Sequence, residues 1–212
     1  MTNPCDVSLY VVSDRTMMRG RSYAQLIPEL IRGGMTVFQL REKDVDSRVF
    51  YEVAQEIKTL LKGTSIPLII NDRVDIALAV GADGIHLGQS DLPCSVVRTF
   101  VPKEWIVGIS AATEADVRRA EDEGADYIGV GAVYATSTKA DAGAPVGCDR
   151  IASLRAVTSL PIVGIGGITL ASAGAVIQAG ADGVAVISAL LSADNLVETA
   201  AQFTQCITAQ RA

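Results

Sequence analysis

One short phrase recurs four times along this 212-residue chain, and it constrains the fold more than any other feature. Each copy begins with glycine, follows an amphipathic stretch and opens an apolar run rich in Val and Ile. The copies occupy residues 33–37, 81–85, 124–128 and 180–184. Glycine at such a point is typical of a helix C-cap that leads into the next strand. The phrase therefore predicts a repeated unit of one helix followed by one strand.

Counting all short apolar runs extends this repeat over the whole chain. The predicted strands are residues 8–13, 35–40, 66–71, 84–88, 105–110, 126–131, 160–165 and 183–188. Segments of helical length and periodicity lie between them, for example residues 23–32, 48–61, 170–179 and 195–208. Eight alternations without a break in composition predict an α/β fold, a (β/α)8 TIM barrel, with residues 1–212 forming a single domain.

A doubly wound open sheet is the alternative architecture, because it also alternates strands and helices. Its nucleotide-binding form carries G-x-G-x-x-G after the first strand, whereas this chain has Val12-Ser13-Asp14-Arg15 there. The P-loop pattern G-x-x-x-x-G-K-[ST] is also absent from the sequence. The count of eight and the missing fingerprints favour the closed barrel.

Charge and cysteine content limit the kinds of partner and compartment. The net charge of −6 and pI of about 4.8 disfavour binding to nucleic acid or to an anionic membrane. Four cysteines without C-x-x-C spacing indicate free thiols in a reducing compartment. The sequence shows no signal-peptide pattern and no apolar run long enough to span a membrane. We expect a cytoplasmic protein, and the sequence leaves open whether it forms a homo-oligomer.

The charged run after the second predicted strand is the first candidate for a functional site. Barrels of this type place their active sites at the C-terminal ends of the strands. Alternate side chains share a face in an extended chain, so Gln39, Arg41 and Lys43 should point into the barrel mouth while Leu40 and Glu42 point away. A solvated charged loop is the alternative, and the position at a strand end favours the site.

Two aspartates that follow neighbouring predicted strands form a candidate metal site. Asp72 follows strand 3 and Asp91 follows strand 4, so the two carboxylates could meet. Mg²⁺ commonly takes one or two carboxylates together with waters and phosphate oxygens. The alternative is that Asp72 and Asn71 cap the helix that begins near Val74. The nearby cations Arg41, Lys43 and Lys139 complete a cradle for a diphosphate and favour the metal.

Glycines after the seventh predicted strand indicate a second anion site. Gly164, Gly166 and Gly167 expose backbone N–H groups, and Ser188 follows strand 8. The loops after strands 7 and 8 frequently bind phosphate in this fold. The alternative is that the glycines only permit close packing of strand and helix. A mouth with a diphosphate site and a monophosphate site suggests a transferase.

The sole histidine and the tyrosines give no comparable signal. His86 lacks an identifiable acidic or nucleophilic partner in the sequence, so we interpret it as a hydrogen-bonded or barrel-filling strand residue. No Ser-His-Asp, Cys-His or zinc constellation is evident. The five tyrosines and Trp105 show no spacing that implies a cofactor site, and we interpret them as packing residues.

The motifs taken in order resemble the thiamine phosphate synthase family over nearly the whole chain. The matching motifs are Gln39-Leu40-Arg41-Glu42-Lys43, Asn71-Asp72, Gly84-Ile85-His86-Leu87-Gly88-Gln89 with Asp91, Gly108-Ile109-Ser110, Thr136-Ser137-Thr138-Lys139, Gly164-Ile165-Gly166-Gly167-Ile168 and Ile187-Ser188. Each motif alone is weak, whereas the ordered set is highly specific.

The resemblance implies an enzyme that condenses a pyrimidine diphosphate with a thiazole phosphate, releasing diphosphate. It implies that the pyrimidine diphosphate is held by Gln39, Leu40, Arg41, Glu42, Lys43, Asn71, Ser110 and Lys139. It places Mg²⁺ on Asp72 and Asp91, and the thiazole phosphate on Thr136, Ser137, Thr138, Gly167, Ile187 and Ser188. Catalysis would rest on Arg41, Lys43, Ser110 and Lys139, which stabilise the leaving group so that no protein nucleophile is needed.

Two positions depart from the family pattern, and two other functions stay open. Ala112 stands where the family commonly has histidine, and Ala135 where it often has proline. A related thiazole tautomerase would use a histidine near strand 5, where this chain has Ser110 and no histidine. A phosphate-binding barrel without catalysis would have little use for two aspartates and three cations together.

Overall fold

A computed structural model describes residues 5–136 and 143–211 and forms a closed barrel of eight parallel strands. The strands are β1 (Leu9–Val12), β2 (Val37–Leu40), β3 (Leu68–Asn71), β4 (Gly84–Leu87), β5 (Ile106–Ser110), β6 (Tyr127–Val130), β7 (Ile162–Ile165) and β8 (Gly183–Val186). They pair in chain order, and β1 closes the barrel against β8. The predicted TIM barrel is confirmed, and each strand falls within its predicted run.

Helices follow the strands and surround the barrel. They are α1 (Tyr23–Arg32), α2 (Ser47–Leu60), α3 (Val74–Val80), α4 (Cys94–Val97), α5 (Glu114–Asp122), α6 (Gly147–Arg155), α7 (Leu170–Gln178), α8 (Ser188–Leu191) and α9 (Leu196–Arg211). Capping boxes at Ser22 and Thr113 fix the starts of α1 and α5, because each side chain accepts from the third backbone N–H of its helix. Within the described residues, no helix is both long enough and apolar enough to cross a membrane.

The recurring phrase joins each helix to the next strand at the N-terminal end of the barrel. Gly34, Gly81, Gly124 and Gly180 all have positive φ, between 63° and 105°. A residue with a side chain rarely adopts this conformation, which explains why glycine recurs there. The predicted helix-ending role of the phrase is thus borne out by the backbone.

The aspartate of the phrase ties neighbouring strands together. Asp126 precedes β6, and its carboxylate accepts a hydrogen bond from the N–H of Val107 in β5 at 2.8 Å and pairs with Arg98. The same arrangement recurs at Asp83 and Asp182, which accept from the first residues of β3 and β7. In the first copy, residues 33–37, the hydroxyl of Thr36 takes the place of the carboxylate and accepts from the N–H of Leu9 in β1. The repeat therefore encodes a structural clamp at the end of the barrel away from the strand C termini.

The apolar residues divide into two layers. Leu9, Val11, Phe38 and Leu40 point outward and pack beneath the helices. Tyr10, Val12, Val37, Ile69, Tyr127, Val163 and Ala185 form a smaller buried cluster inside the barrel. This separation follows from the alternation of side chains along a strand. It leaves the inward-facing positions at the C-terminal ends free to line a cavity.

Candidate active site

A cavity of about 460 Å³ opens at the C-terminal ends of the strands. Among the residues that the sequence selects, it is lined by Gln39, Arg41, Asn71, Ser110, Thr136 and Ile187. This volume lies within the range of about 300 to 1,000 Å³ that is usual for small-molecule sites. Residues separated by almost 150 positions in the chain thus share one cavity at the predicted end of the barrel.

The charged run after β2 alternates as predicted. Gln39 and Arg41 line the cavity, whereas Leu40 packs into the outer core. The Glu42 side chain is only 4% exposed and accepts hydrogen bonds from Arg15 at 2.9 Å and Tyr23 at 3.1 Å. The family resemblance places Leu40 and Glu42 among the substrate-binding residues. In the structure their side chains lie outside the cavity, because the strand turns them to its outer face. Only their backbone could meet a ligand.

The end of β1 supplies residues that the sequence did not single out. The buried hydroxyl of Ser13 accepts a hydrogen bond from the N–H of Arg41 at 2.9 Å. A carboxylate oxygen of Asp14 lies 3.8 Å from the Arg41 guanidinium. Both residues follow directly after the first strand, so their position was readable, but nothing in their spacing indicated contact with β2. They fix the backbone and the head of the predicted cation.

Lys43 and the two predicted metal ligands meet beside the cavity. The ammonium of Lys43 pairs with the carboxylate of Asp72. Burial raises the pKa of the Asp91 carboxyl, and the neighbouring carboxylate of Asp72 raises it further. The N–H of Gly88 donates to the Asp91 carboxylate at 2.6 Å and partly offsets this rise. An electrostatic effect of this kind requires the two carboxyl groups to be near neighbours. The aspartates that follow strands 3 and 4 are thus close enough to interact, and their role as metal ligands stays a prediction.

The backbone at Asp72 argues against the helix-capping alternative, and metal binding stays a prediction. Asp72 has a φ of 61°, which is uncommon for a residue with a side chain. Helix α3 begins at Val74 without a side-chain cap, so the capping interpretation is wrong. The left-handed turn directs the carboxylate toward Lys43 instead. Unusual backbone of this kind is often found where a functional group must be aimed.

The donor set suits Mg²⁺. Two carboxylates supply oxygen ligands only, and a divalent cation between them would offset the effect of Asp72, which together with burial raises the pKa of the Asp91 carboxyl. Within residues 5–136 and 143–211, no group of three or more His, Cys, Asp or Glu side chains surrounds a metal-sized position. The remaining ligands would therefore be waters and substrate oxygens, which is the usual arrangement for Mg²⁺.

The glycines after β7 adopt conformations that only glycine readily takes. Gly166 and Gly167 have φ values of 98° and 63°. A Cβ at Gly167 would lie 2.4 Å from the carbonyl oxygen of Ala135, and one at Gly166 would lie 2.6 Å from the Cβ of Ala132. These two glycines therefore allow the loop after β6 to pack closely. The close packing of strand and helix that the alternative interpretation expected is found at Gly164, where a Cβ would lie 2.5 Å from Val176 Cγ1 in α7. Gly166 also lines the cavity, so close packing and an anion site are compatible.

A chain of hydrogen bonds, for which the sequence gives no signal, crosses the floor of the cavity. Gln39 donates to the Tyr10 hydroxyl at 2.8 Å, and the hydroxyls of Tyr10 and Tyr127 lie 2.7 Å apart. His86 Nδ1 lies 2.9 Å from the Tyr127 hydroxyl, and Nε2 lies 3.0 Å from the Ser110 hydroxyl. Both tyrosines line the cavity, which corrects their interpretation as packing residues only.

The position of His86 corrects the argument that this chain has no histidine near strand 5, which was used against a thiazole tautomerase. No histidine follows Ser110 in the sequence, yet His86 reaches Ser110 from β4 because β4 and β5 pair side by side. The predicted residues Ser137, Thr138 and Lys139 lie outside the described residues. The predicted Ser188 begins α8 and is separated from the end of β8 by Ile187, which lines the cavity.

Fold and site together define a TIM barrel with a polar cavity at the C-terminal ends of its strands, where enzymes of this fold hold small-molecule substrates. A family model described as thiamine monophosphate synthase matches residues 9–190. The chain belongs to this family and is a transferase of thiamine biosynthesis.

Relatives match over almost their full length. The thiamine-phosphate synthase of Alkaliphilus oremlandii is 47% identical over 195 residues, covering 92% of this chain and 93% of the relative. That of Syntrophomonas wolfei is 48% identical over 191 residues, covering 90% of this chain and 91% of the relative. The solved structure of thiamine phosphate pyrophosphorylase from Pyrococcus furiosus has a TM-score of 0.89 at 31% identity and covers 99% of each chain.

Proposed function

We propose that the enzyme condenses 4-amino-2-methyl-5-(diphosphooxymethyl)pyrimidine with 4-methyl-5-(2-phosphooxyethyl)thiazole in this cavity. The products are thiamine phosphate and diphosphate. The observation that carries the proposal is the meeting of Lys43, Asp72 and Asp91 beside a cavity whose opposite wall holds the glycine loop after β7. These two features support one mouth that would hold two phosphate groups at separate places.

The β2, β3 and β4 side of the mouth would hold the diphosphate. Arg41 and Lys43 supply positive charge, and Lys139 is proposed to add a third cation. Asp72 and Asp91 would hold Mg²⁺, which when bound would neutralise charge on the diphosphate oxygens. Asn71 and Gln39 line the adjoining wall, where their amide groups would orient the aminopyrimidine. Ser110 faces the same space from β5.

The β6, β7 and β8 side would hold the thiazole phosphate. Gly167 and Ser188 would offer backbone and hydroxyl donors, as the loops after strands 7 and 8 often do in this fold. Thr136, after β6, and Ile187, after β8, also line the cavity. We propose that Ser137 and Thr138 complete this site. The acceptor ring would then face the carbon that carries the diphosphate.

The proposed chemistry requires no nucleophile from the protein. The bond between the pyrimidine methylene carbon and the diphosphate oxygen breaks, and the electron pair leaves with the diphosphate. The thiazole nitrogen then gives its lone pair to form the new carbon–nitrogen bond, so the ring nitrogen becomes positively charged. Arg41 and Lys43 would stabilise the charge that grows on the leaving group, and the cavity would hold the acceptor in line.

We also propose a cytoplasmic location. The structure contains four free cysteines, Cys5, Cys94, Cys148 and Cys206, which agrees with a reducing compartment. The proposed partners are the two phosphorylated substrates, with no nucleic acid and no membrane.

A product assay tests the proposed reaction. Purified enzyme, Mg²⁺ and both substrates should yield thiamine phosphate and inorganic diphosphate in equal amounts, and a chelator should abolish both. Isomerisation of the thiazole phosphate without diphosphate release would favour the tautomerase. Binding of diphosphate without turnover would favour a non-catalytic barrel, and either result would overturn the proposal.

A further inference from the structure

The hydrogen-bond chain across the cavity floor has a direction, and that direction fixes the state of the sole histidine. We propose that the chain runs from Gln39 through Tyr10 and Tyr127 to His86, so that His86 is held as the neutral Nε2–H tautomer and the proton of the Ser110 hydroxyl points into the cavity. Tyr10, Tyr127 and His86 are then positioning residues. The proposal rests on Ser110 lying in the substrate site described above.

The direction begins at Gln39. Its amide N–H donates a hydrogen bond to the Tyr10 hydroxyl oxygen, so the proton of that hydroxyl is directed to another partner. The partner that the structure gives it is the Tyr127 hydroxyl at 2.7 Å. Tyr127 accepts this hydrogen bond and donates one from its own hydroxyl to His86 Nδ1 at 2.9 Å. Each hydroxyl has one proton to give, so the order of donors follows from the first bond.

Both phenols keep their protons. Burial strongly raises the pKa of the Tyr10 hydroxyl, and burial together with the adjoining Tyr10 raises the pKa of the Tyr127 hydroxyl. A chain of protonated hydroxyls can pass hydrogen bonds in one direction without carrying charge. Neither tyrosine is therefore suited to act as a base toward the substrate.

The consequence falls on Ser110. A neutral imidazole that accepts at Nδ1 carries its proton at Nε2, which then donates to the Ser110 oxygen at 3.0 Å. The serine proton is left to be donated to a ligand, which suits an oxygen of the leaving diphosphate or a pyrimidine nitrogen. A His86 in this state cannot remove the serine proton. The proximity of serine and histidine thus gives a hydrogen-bond donor and not a nucleophile.

Two glycines next to the rings of Tyr127 and His86 leave the space that these rings occupy. A Cβ at Gly108 would lie 2.0 Å from Tyr127 Cζ, so the tyrosine ring occupies the space that a side chain would take. A Cβ at Gly129 would lie 3.1 Å from His86 Cε1. The strand positions next to both rings therefore lack side chains, which lets the rings meet inside the barrel.

Nitrogen-15 NMR of histidine-labelled enzyme tests the tautomer directly. Because the chain has one histidine, the spectrum contains a single ring. At pH 8, above the ordinary imidazole pKa of about 6.5, we expect a protonated Nε2 and an unprotonated Nδ1. A dominant Nδ1–H tautomer would mean that Ser110 donates to His86, and that result would overturn the proposal.

Conservative variants separate positioning from folding. Tyr127→Phe removes the donor to Nδ1, and we expect a mixture of tautomers and a fall of about 3- to 10-fold in kcat, as for the loss of one hydrogen bond. Ser110→Ala should retain the Nε2–H tautomer, because Tyr127 still holds Nδ1. Tyr51→Phe, on the exposed face of α2, is the matched control and should change neither measurement.

The outcomes also separate this inference from the proposed reaction. An Nε2–H spectrum with no thiamine phosphate formed would support the chain and refute the reaction. A retained Nε2–H tautomer in a folded Tyr127→Phe variant would refute the role of Tyr127, whatever the activity. If that variant does not fold, Tyr10→Phe replaces it. This change removes the link to Gln39 that fixes the direction, so a mixture of tautomers supports the order and an unchanged Nε2–H tautomer contradicts it.

Discussion

Gly167→Ala should damage both stability and binding of the phosphorylated acceptor. Alanine at a φ of 63° costs roughly 1 to 2 kcal/mol in backbone strain. Its Cβ would also lie 2.4 Å from the carbonyl oxygen of Ala135, and overpacking of this kind costs about 1 to 3 kcal/mol. The sum is about 2 to 5 kcal/mol, which lowers Tm by roughly 4 to 20 °C for a chain of this size.

The kinetic effect should be confined to one substrate. A displaced loop after β7 weakens the donors proposed for the thiazole phosphate, so we expect its KM to rise about 10-fold or more. The KM of the pyrimidine diphosphate should change little. Initial rates with each substrate varied in turn, together with thermal unfolding, measure both effects.

Gly174→Ala is the matched control on the following helix. Gly174 lies within α7, and a Cβ there would meet Cys206 Sγ at an ordinary 3.5 Å. Alanine should stabilise the helix by about 0.5 to 1 kcal/mol and leave kinetics unchanged. If Gly167→Ala behaved like this control, both the strain argument and the proposed phosphate site would be refuted.

The other predictions concern charge at the two ends of the barrel. Asp126→Ala should lower the free energy of unfolding by about 1.5 to 3 kcal/mol, because the Val107 N–H loses a charged acceptor. Asp126→Asn, measured in the same thermal unfolding experiment, should cost clearly less. Equal losses for the two variants would contradict the clamp. Lys43→Ala should lower kcat about 10²- to 10³-fold, with exposed Lys62→Ala as the control, and an undiminished rate would exclude its role in leaving-group stabilisation. Asp91→Asn should raise the Mg²⁺ concentration needed for half-maximal rate, and an unchanged titration would count against a ligand role.

Periodicity accounts for what the sequence predicted well. Strand alternation placed Gln39 and Arg41 inside and Leu40 outside, and this holds because a closed barrel has only two faces. The glycine phrase located the helix ends, since a left-handed residue is needed there. Chain order also predicted that the aspartates after β3 and β4 would meet, because parallel neighbours end at the same rim.

Interactions perpendicular to the strands account for what was missed. Tyr10 and Tyr127 lie on inward-facing positions like any core residue, and their hydroxyls meet only because the closed barrel brings the unpaired strands β1 and β6 to face the same interior. The contact of Ser13 with Arg41 depends on how β1 and β2 align. Glu42 shares a charged run with its neighbours, yet its side chain lies on the outer face of the strand and accepts hydrogen bonds from Arg15 and Tyr23. Residue type and spacing carry no signal for such contacts.

A crystal structure of the enzyme with Mg²⁺, diphosphate and thiamine phosphate tests the central claim most directly. We predict Mg²⁺ coordinated by Asp72 and Asp91, diphosphate against Arg41, and the phosphate of thiamine phosphate against Gly167 and Ser188. Both phosphate groups on the same wall of the cavity, or Mg²⁺ bound away from the two aspartates, would contradict the account.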